Sequence, residues 1–559
     1  MISNKWIWLI AIIFFIKALI LSFWITPLWD IPDEPGHFAY ARDIGSGKGI
    51  PVLGKSVIET DIRSHVAGSV VTSTKINWIA QHPPAYYIPA GLLWKVAAFF
   101  TADPEILFRV PRVLSALSGA LVIIVLYFLL VLVSGNRLAS LGFAASIGFI
   151  PMFSHMSSGT NQDITLTLFV CLATYYWTRF LIQKKNVKYA CYTAIWLSVA
   201  CFTKLTALVL TAPMLFIMFF ELESSWKLRI KQAAIIFGIW FILPGLWMIR
   251  SYYYFGKFFV TAAGQRGFSL DSNPLTDSFF YYLGKQQAIE QFFVNFFGLF
   301  GFIGTGKGNL CWLPVGSWPL TVYSMFVMLL LLMVLLYLSY VVIWGNEKYI
   351  EKSNSVFDFI SRYTSFFTAR MGIRLTIVCY GMIIAIVTWL IPTDSIFRHI
   401  AFSTLNYIWV LSLFLILCTL EQKQRLVVYA WIIIFFFIVI LLRQVYHFFI
   451  LGGELRATHG RYLYPLIPLI MVGIIGPAFA LFKKQAAHLF ILLALVMAFT
   501  EMNVFLSQVI PFYSNFNLKF HVDFIGRIFF IMLYAIFSLI ILFVWASQMI
   551  KKPLSHPRS

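Results

Sequence analysis

Long apolar runs recur along the whole chain and are separated by short polar segments. Most runs are about 20 residues long, the length of a helix that crosses about 30 Å of hydrocarbon. They predict an all-α, polytopic transmembrane helix bundle of about 14 helices, treated as one domain over residues 1–559. The predicted spans are 6–28, 111–133, 139–156, 164–182, 189–203, 205–220, 232–250, 319–344, 375–392, 401–419, 427–450, 463–482, 486–505 and 525–549.

Composition agrees with this pattern. The chain is 60% hydrophobic and only 11% charged, whereas soluble domains carry about 25% charged residues. The net charge is +20, but the positive residues are scattered between apolar runs and form no nucleic-acid motif. This charge favours anionic lipid and a phosphate-bearing ligand as partners, and no nucleic acid. Six cysteines without a CxxC pair predict neither a disulfide nor a zinc site.

Lysine and arginine predict the orientation of the helices. Alternate short loops are basic, and the opposite loops, such as 157–163, are poor in both residues. The positive-inside rule therefore places both termini in the cytoplasm. The first run is too long for a signal peptide and no cleavage site follows it, so we expect it to remain as a helix. Segments 29–110 and 251–318 then become the large outer segments, and apolar pieces in 85–100 predict helices at the membrane interface.

An acidic motif follows the first predicted helix. Asp33 and Glu34 lie between two prolines, and Asp33 and His37 share a face if the segment is helical. A carboxylate at the boundary of water and lipid can act as a general base or hold a divalent metal. The alternative is purely structural, with Asp33 capping a helix that has Pro35 in its first turn.

Four other outer segments carry candidate residues. His82, Tyr86 and Tyr87 follow or flank a Pro-Pro pair, and the alternative is an aromatic belt at the interface. Asp163 begins a helix, either as a second active carboxylate or as a favourable charge at a helix N-terminus. The remaining candidates are cations and their neighbours: Lys204, within an apolar stretch; Arg461 with His459 and Tyr462, before a helix; and Arg250.

Cations in apolar surroundings suggest a phosphate site. A charge such as Lys204 needs an anionic partner or a water-filled cavity, unless it snorkels from a helix end. The guanidinium of Arg461 suits a forked contact to phosphate oxygens, with interface anchoring as the alternative. No glycine-rich phosphate loop is present, so a cytoplasmic nucleotide is a poor candidate substrate.

The order of these motifs resembles that of the GT-C superfamily of membrane glycosyltransferases. The chain resembles the protein O-mannosyltransferase and lipid A aminoarabinose transferase branch, and it is most similar to a bacterial group that has a Pro-Asp-Glu motif and a Gly-Arg-Tyr motif. The resemblance covers residues 1–260 and, locally, 450–470. The matching motifs are Asp33-Glu34, His82-Pro83-Pro84-x-Tyr86-Tyr87, Phe108-Arg109-x-Pro111, Thr203-Lys204 and His459-Gly460-Arg461-Tyr462.

The resemblance implies a polyprenyl-phosphate sugar donor and a reaction centre at the acidic pair. It makes Asp163 the second acidic residue and Lys204 the lysine near the donor phosphate. The aminoarabinose transferases have a lysine before the Pro-Pro pair, where this chain has His82, and an arginine shortly after the acidic pair, where it has Gly36-His37. Lys204 and Arg461 are then expected to bind the donor phosphate, or the donor differs from that of the aminoarabinose transferases.

These inferences give a hypothesis for the function. The chain is expected to move a sugar from a polyprenyl-phosphate donor to a glycan, lipid or protein acceptor by an inverting single displacement. Asp33 serves as the base in this scheme, and Glu34 orients it or the acceptor. The residues identify no cofactor, and a divalent metal between Asp33 and His37 is an option. The expected location is a bacterial inner membrane with the site facing the periplasm. The rival hypotheses are a transporter or flippase of a lipid-linked sugar, which tends to have repeated halves, and a non-enzymatic assembly subunit.

Overall fold

The computed structural model describes most of the chain as helices in a bundle. Nine helices in the described part are long and apolar enough to cross a membrane, which confirms an all-α, polytopic fold. The residues described are 4–64, 75–183, 186–222, 225–260, 288–300, 313–314, 316–344, 422–452, 459–483, 485–514 and 524–550. The nine spans are Lys5–Ile25, Pro104–Ser134, Asp163–Ile182, Trp226–Phe255, Ser317–Tyr337, Gln424–Tyr446, Gly460–Phe482, Gln485–Tyr513 and Arg527–Ser547.

Three predicted spans differ from the helices found. The predicted span 139–156 is a bent pair, Arg137–Ile147 and Pro151–Ser157, with 70° between them. Pro151 has no N–H to continue a helix, so it starts a new one. Spans 189–203 and 205–220 correspond to the shorter helices Val187–Cys201 and Leu205–Glu221. The predicted spans 375–392 and 401–419 lie outside the described residues.

The other elements are short or flank the spans. A two-stranded antiparallel sheet pairs Val57 with Ile76 and Ile58 with Lys75, and a second pairs Leu299 with Pro314 and Phe300 with Leu313. The α-helices are Lys5–Ile20, Glu34–Gly45, Thr60–Ser64, Tyr87–Phe100, Pro104–Arg109, Arg112–Ser134, Arg137–Ile147, Pro151–Ser157, Asp163–Ile182, Val187–Cys201, Leu208–Glu221, Trp226–Phe255, Ala288–Phe297, Ser317–Trp344, Gln422–Gly452, Ile467–Phe482, Gln485–Val504, Ile510–Ser514 and Phe524–Ile550.

The helices pack through small residues. Helix Arg137–Ile147 lies against helix Gln485–Val504 at Gly142, where a Cβ would come within 2.6 Å of the carbonyl oxygen of Phe490. Close approach of this kind is typical of helices in lipid, where association depends on van der Waals packing because the hydrophobic effect does not drive helices together there. Gly142 therefore fixes the spacing of these two helices.

Two helices of the first large loop pack against each other in the same way. A Cβ at Gly45 of helix Glu34–Gly45 would come within 2.5 Å of the carbonyl oxygen of Gly91 in helix Tyr87–Phe100. The second helix is too short to span a membrane and exposes large apolar side chains, including Phe99 and Phe100. Its outer surface is consistent with the interfacial helix that the sequence predicts.

A buried ionic cluster lies inside the bundle near the bend. Lys17 Nζ lies 2.7 Å from Glu501 Oε2 and donates to the carbonyl of Gly148 at 2.6 Å. Ser154 also donates to Glu501, and the Tyr534 hydroxyl donates to it at 2.8 Å. Charges in apolar surroundings need such partners. Because Gly148 and Ser154 flank the bend, the cluster ties the bent pair to the helices that carry Lys17 and Glu501.

Candidate functional site

The acidic turn holds Asp33 in an unusual backbone conformation. Asp33 has a φ of 66°, in the left-handed region that non-glycine residues seldom occupy. Helix Glu34–Gly45 begins directly after it, but the Asp33 side chain makes no capping hydrogen bond to that helix. The capping role considered from the sequence is therefore wrong. Instead, Asp33 Oδ1 accepts a hydrogen bond from Trp78 Nε1 at 3.1 Å.

Arg461 joins two carboxylates from distant parts of the chain. Its Nη2 donates to Asp33 Oδ2 at 3.1 Å, and its Nε forms an ion pair with Asp163 Oδ2 at 3.3 Å. Its Nη1 donates to the carbonyl of Pro32 at 3.2 Å. The arginine side chain is 3% exposed, whereas that of Asp33 is 32% exposed. Asp33 is thus the member of this group that solvent or substrate can reach.

Lys204 completes the charge cluster. It lies at the break between helix Val187–Cys201 and the turn Leu205–Ala207, and its Nζ lies 2.6 Å from Asp163 Oδ1. The same ammonium lies 4.8 Å from the centre of the Tyr462 ring, a cation–π distance. Lys204 points inward to a carboxylate and does not snorkel. We call Asp33, Asp163, Lys204 and Arg461 the charge cluster.

Three side chains form a hydrogen-bonded chain beside the charge cluster. His37 Nδ1 lies 2.7 Å from the Tyr87 hydroxyl, and that hydroxyl donates to Gln162 Oε1 at 2.9 Å. The ring of Tyr40 stacks on Tyr87 with centroids 3.8 Å apart. We call His37, Tyr87 and Gln162 the relay.

His82 and Tyr86 support this region. Tyr40 donates to the carbonyl of His82 at 3.0 Å, and the Tyr86 hydroxyl accepts from the backbone N–H of Asn161 at 3.0 Å. The N–H of Ala85 donates to the carbonyl of Phe202, two residues before Lys204. The Pro-Pro segment therefore connects the relay to the break that carries Lys204.

Glu34, predicted from the sequence to orient Asp33 or the acceptor, has a different environment from Asp33. Its carboxylate is fully buried and paired with Arg112 through two hydrogen bonds of 2.8 Å. It also accepts from the backbone N–H groups of Trp29 and Thr160 at 2.9 and 2.8 Å. Because four donors occupy its two oxygens, Glu34 holds the acidic turn against two other segments.

Arg250 does not join the charge cluster. Its Nη2 donates to the carbonyls of Ile50 and Pro51 at 3.1 and 3.0 Å, and its guanidinium lies 4.8 Å from the Trp247 ring centre. These contacts tie helix Trp226–Phe255 to the first loop. The predicted substrate-binding role of Arg250 has no support in this arrangement.

A second polar group anchors the acidic turn from the other side. Asp30 lies 3.1 Å from His155 Nε2 and accepts a hydrogen bond from the Tyr513 hydroxyl. His155 belongs to the second half of the bent pair. The turn is thus held by Asp30 on one side and by Glu34 on the other, with Asp33 between them.

The surroundings shift the pKa values of the outer titratable groups. Burial raises the pKa of Asp33, but Arg461, His37, His459 and the hydrogen bond from Trp78 together outweigh burial, and the pKa ends below its usual value. Burial lowers the pKa of His37 and of His459 to about 4 in each case, since the nearby acids do not compensate. Burial likewise lowers the pKa of His82 well below its usual value. Near neutral pH, Asp33 is ionised and these histidines are neutral.

A metal between Asp33 and His37 was one hypothesis from the sequence. In the described part of the chain, no three His, Cys, Asp or Glu side chains come together as a metal site. His37 Nδ1 is engaged by Tyr87, and Asp33 is engaged by Arg461.

Sequence reasoning missed the partners that hold the candidate residues. Arg112 follows the Phe108-Arg109-x-Pro111 motif, and an arginine at the start of an apolar helix is a usable signal for a buried acidic partner. Gln162 precedes Asp163 but carries no spacing that indicates a bond to Tyr87. Trp78 begins the short 3-10 helix Trp78–Gln81, and nothing in its sequence surroundings points to Asp33.

A family model matches one segment of the chain. Residues 88–248 match the family model described as dolichyl-phosphate-mannose-protein mannosyltransferase. This match confirms the resemblance to GT-C glycosyltransferases, over a segment that includes Asp163 and Lys204. No curated protein matches the chain.

Two crystal structures of ArnT from Cupriavidus metallidurans are similar to the chain. The structure bound to undecaprenyl phosphate has 11% sequence identity and a TM-score of 0.40, over 98% of this chain and 73% of that chain. The apo structure has 13% identity and a TM-score of 0.33, over 85% and 78% of the two chains. Similarities this low carry no argument about the site.

Proposed function

We propose that the chain is a membrane glycosyltransferase that moves a sugar from a polyprenyl-phosphate donor to an acceptor hydroxyl. The observation that carries the proposal is the charge cluster, in which Arg461 bridges Asp33 and Asp163 while Lys204 contacts Asp163. Two carboxylates and two cations from four separate segments meet where Asp33 is partly exposed. The family match over 88–248 supports the same reaction class.

In this proposal Asp33 is the base. The acceptor oxygen attacks the anomeric carbon as its proton passes to Asp33, and the bond between that carbon and the phosphate oxygen breaks. The electron pair of that bond leaves with the polyprenyl phosphate. One displacement of this kind inverts the anomeric configuration. Because the pKa of Asp33 lies below its usual value, the carboxylate is in the form that accepts a proton.

The two cations stabilise the leaving group. Lys204 and Arg461 are both largely buried, so their charges act in a site with little water, where they attract an anion more strongly. In the structure both contact Asp163, which holds them close together before substrate arrives. The donor phosphate replaces part of these contacts when it binds. Tyr462, which lies beside Lys204, and His459 line the same region.

The location and partners follow from the same proposal. The charge cluster lies at the helix ends that the positive-inside pattern assigns to the outer side. The proposed site therefore faces the periplasm of a bacterial inner membrane, with both termini in the cytoplasm. The acceptor class is a glycan, lipid or protein that carries a hydroxyl group.

The test is transfer by the purified protein in liposomes with a radiolabelled polyprenyl-phosphate sugar. Asp33→Asn is expected to lower the rate about 10²–10⁴-fold, the usual contribution of a general base. The matched control is Asp61→Asn, because Asp61 pairs with Arg42 at an exposed place. Wild-type transfer by Asp33→Asn rules out the base, and sugar movement across the membrane without transfer favours a flippase.

A further inference from the structure

Among the residues that the structure describes, only the oxygen of the Gln162 amide has a hydrogen-bond partner. Its Oε1 accepts from Tyr87, whereas Nε2 has no hydrogen-bond partner among the residues that the structure describes. The residue is 1% exposed. A buried donor without a partner costs about 1–3 kcal/mol, and most buried polar groups are satisfied. An orphaned donor at this place calls for a ligand.

The hydrogen bonds of the relay fix what its two ends offer. The Tyr87 hydroxyl has one proton, which it donates to Gln162. His37 must therefore donate from Nδ1 to the Tyr87 oxygen, which leaves Nε2 as an acceptor in the neutral ring. The relay thus presents an N–H donor at Gln162 and an unprotonated nitrogen at His37.

The relay is connected through the backbone to Asp33 and Asp163, the two acidic residues of the charge cluster. The N–H of His37 donates to the carbonyl of Asp33 at 3.1 Å, one helical turn away. Gln162 directly precedes Asp163 in the sequence. The stacked ring of Tyr40 limits movement of Tyr87 between them. A molecule bound at the charge cluster therefore lies within the neighbourhood of the Gln162 amide.

We propose that Gln162 is a specificity-determining residue that donates a hydrogen bond from Nε2 to a hydroxyl group of a sugar substrate, with Tyr87 and His37 as positioning residues for its amide. This inference rests on the proposed function and names the chemistry by which the same site recognises its substrate. A site built to bind a hydroxyl discriminates against the analogue that lacks it, because its own polar group is then left unpaired. The hydroxyl belongs either to the donor sugar or to the acceptor.

The test compares substrates that lack single hydroxyl groups. The donors are polyprenyl-phosphate sugars and their monodeoxy forms, and the acceptors are methyl glycosides and their monodeoxy forms. The wild-type protein is expected to lose about tenfold or more in kcat/KM for one deoxy compound, equivalent to about 1.4 kcal/mol. Gln162→Met, which keeps the length of the side chain, is expected to treat that compound and its parent alike.

Controls separate recognition from folding. Gln183→Met changes a glutamine at the far end of helix Asp163–Ile182, where it contacts Arg179, and should keep the wild-type discrimination. Tyr87→Phe keeps the ring but frees the amide, so it should weaken the discrimination even if Gln162→Met fails to fold. A deoxy effect in the donor series assigns the hydroxyl to the donor sugar, and one in the acceptor series assigns it to the acceptor.

The outcomes distinguish a failure of this inference from a failure of the proposed function. The role of Gln162 is overturned if transfer persists and three proteins discriminate equally between parent and deoxy compounds in both series. These proteins are the wild type, Gln162→Met and Tyr87→Phe. Absence of transfer by the wild-type protein with every donor overturns the proposed function, and the inference with it.

Discussion

Replacement of Glu34 by glutamine tests whether the first acidic pair divides into a reactive and a structural residue. Glu34 is fully buried and receives two hydrogen bonds from Arg112 and two from backbone N–H groups. The amide of glutamine keeps the size of the side chain but removes the charge and turns an acceptor into a donor that faces Arg112. Arg112 is then left as an uncompensated buried charge.

The expected magnitude follows from that loss. Removal of one partner of a buried ion pair costs about 3–5 kcal/mol, so Glu34→Gln should markedly lower the free energy of unfolding. Asp33→Asn should cost less, because Asp33 is 32% exposed and loses one charged contact to Arg461. The assay is SDS-induced unfolding of the purified protein, followed by helical circular dichroism, alongside the transfer rate of the folded fraction.

The transfer rate of the folded Glu34→Gln protein decides whether Glu34 is a reactive or a structural residue. Glu105→Gln changes a partly exposed glutamate and serves as the control, with wild-type stability and transfer expected. If Glu34→Gln unfolds like the wild-type protein yet its folded fraction loses transfer, Glu34 acts in the chemistry and the division of roles is refuted. If the folded fraction keeps most of its activity, Glu34 is a positioning residue.

Two further predictions concern the cations and pH. Lys204→Met should weaken donor binding at least about tenfold, a loss of about 1.4 kcal/mol, because it removes an ammonium proposed to contact the phosphate. Equilibrium binding of a polyprenyl phosphate measures this affinity, and an unchanged affinity contradicts the proposed role of Lys204. His37 and His459 have folded pKa values of about 4, below the usual value of about 6.5, so the unfolded chain takes up protons first as pH falls. Stability should therefore be complete above about pH 6.5 and decline towards pH 4, as measured by denaturation temperature, and His37→Asn should reduce that slope; a pH-independent denaturation temperature would contradict this.

The sequence predicts the architecture well because lipid imposes a simple rule on it. Every span needs a long apolar run, and Lys5–Ile25 and Trp226–Phe255 can be recognised on that basis alone. The bend after Ile147 is harder to predict, since Pro151 also suits the first turn of a helix. Its geometry depends on contacts from Lys17 and Glu501, which no local pattern records.

The candidate site is partly predictable for a related reason. Asp33, Lys204 and Arg461 stand out because charges are rare in apolar surroundings, and each must be explained by a partner. Which charge pairs with which depends on the packing of segments that are hundreds of residues apart. The motif Asp33-Glu34 shows this limit, because two adjacent carboxylates are alike in sequence but one faces solvent and the other faces Arg112.

The pairing of Lys17 with Glu501 bears on how the chain is assembled in the membrane. The two residues are 484 positions apart, so the first helix is synthesised long before its counter-charge exists. A lone lysine near the middle of a helix costs about 2.5–3.5 kcal/mol on insertion scales. Glu501 must therefore be synthesised and inserted before this ion pair can form. Contact between the helices that carry Lys17 and Glu501 is accordingly a late step in the assembly of the bundle.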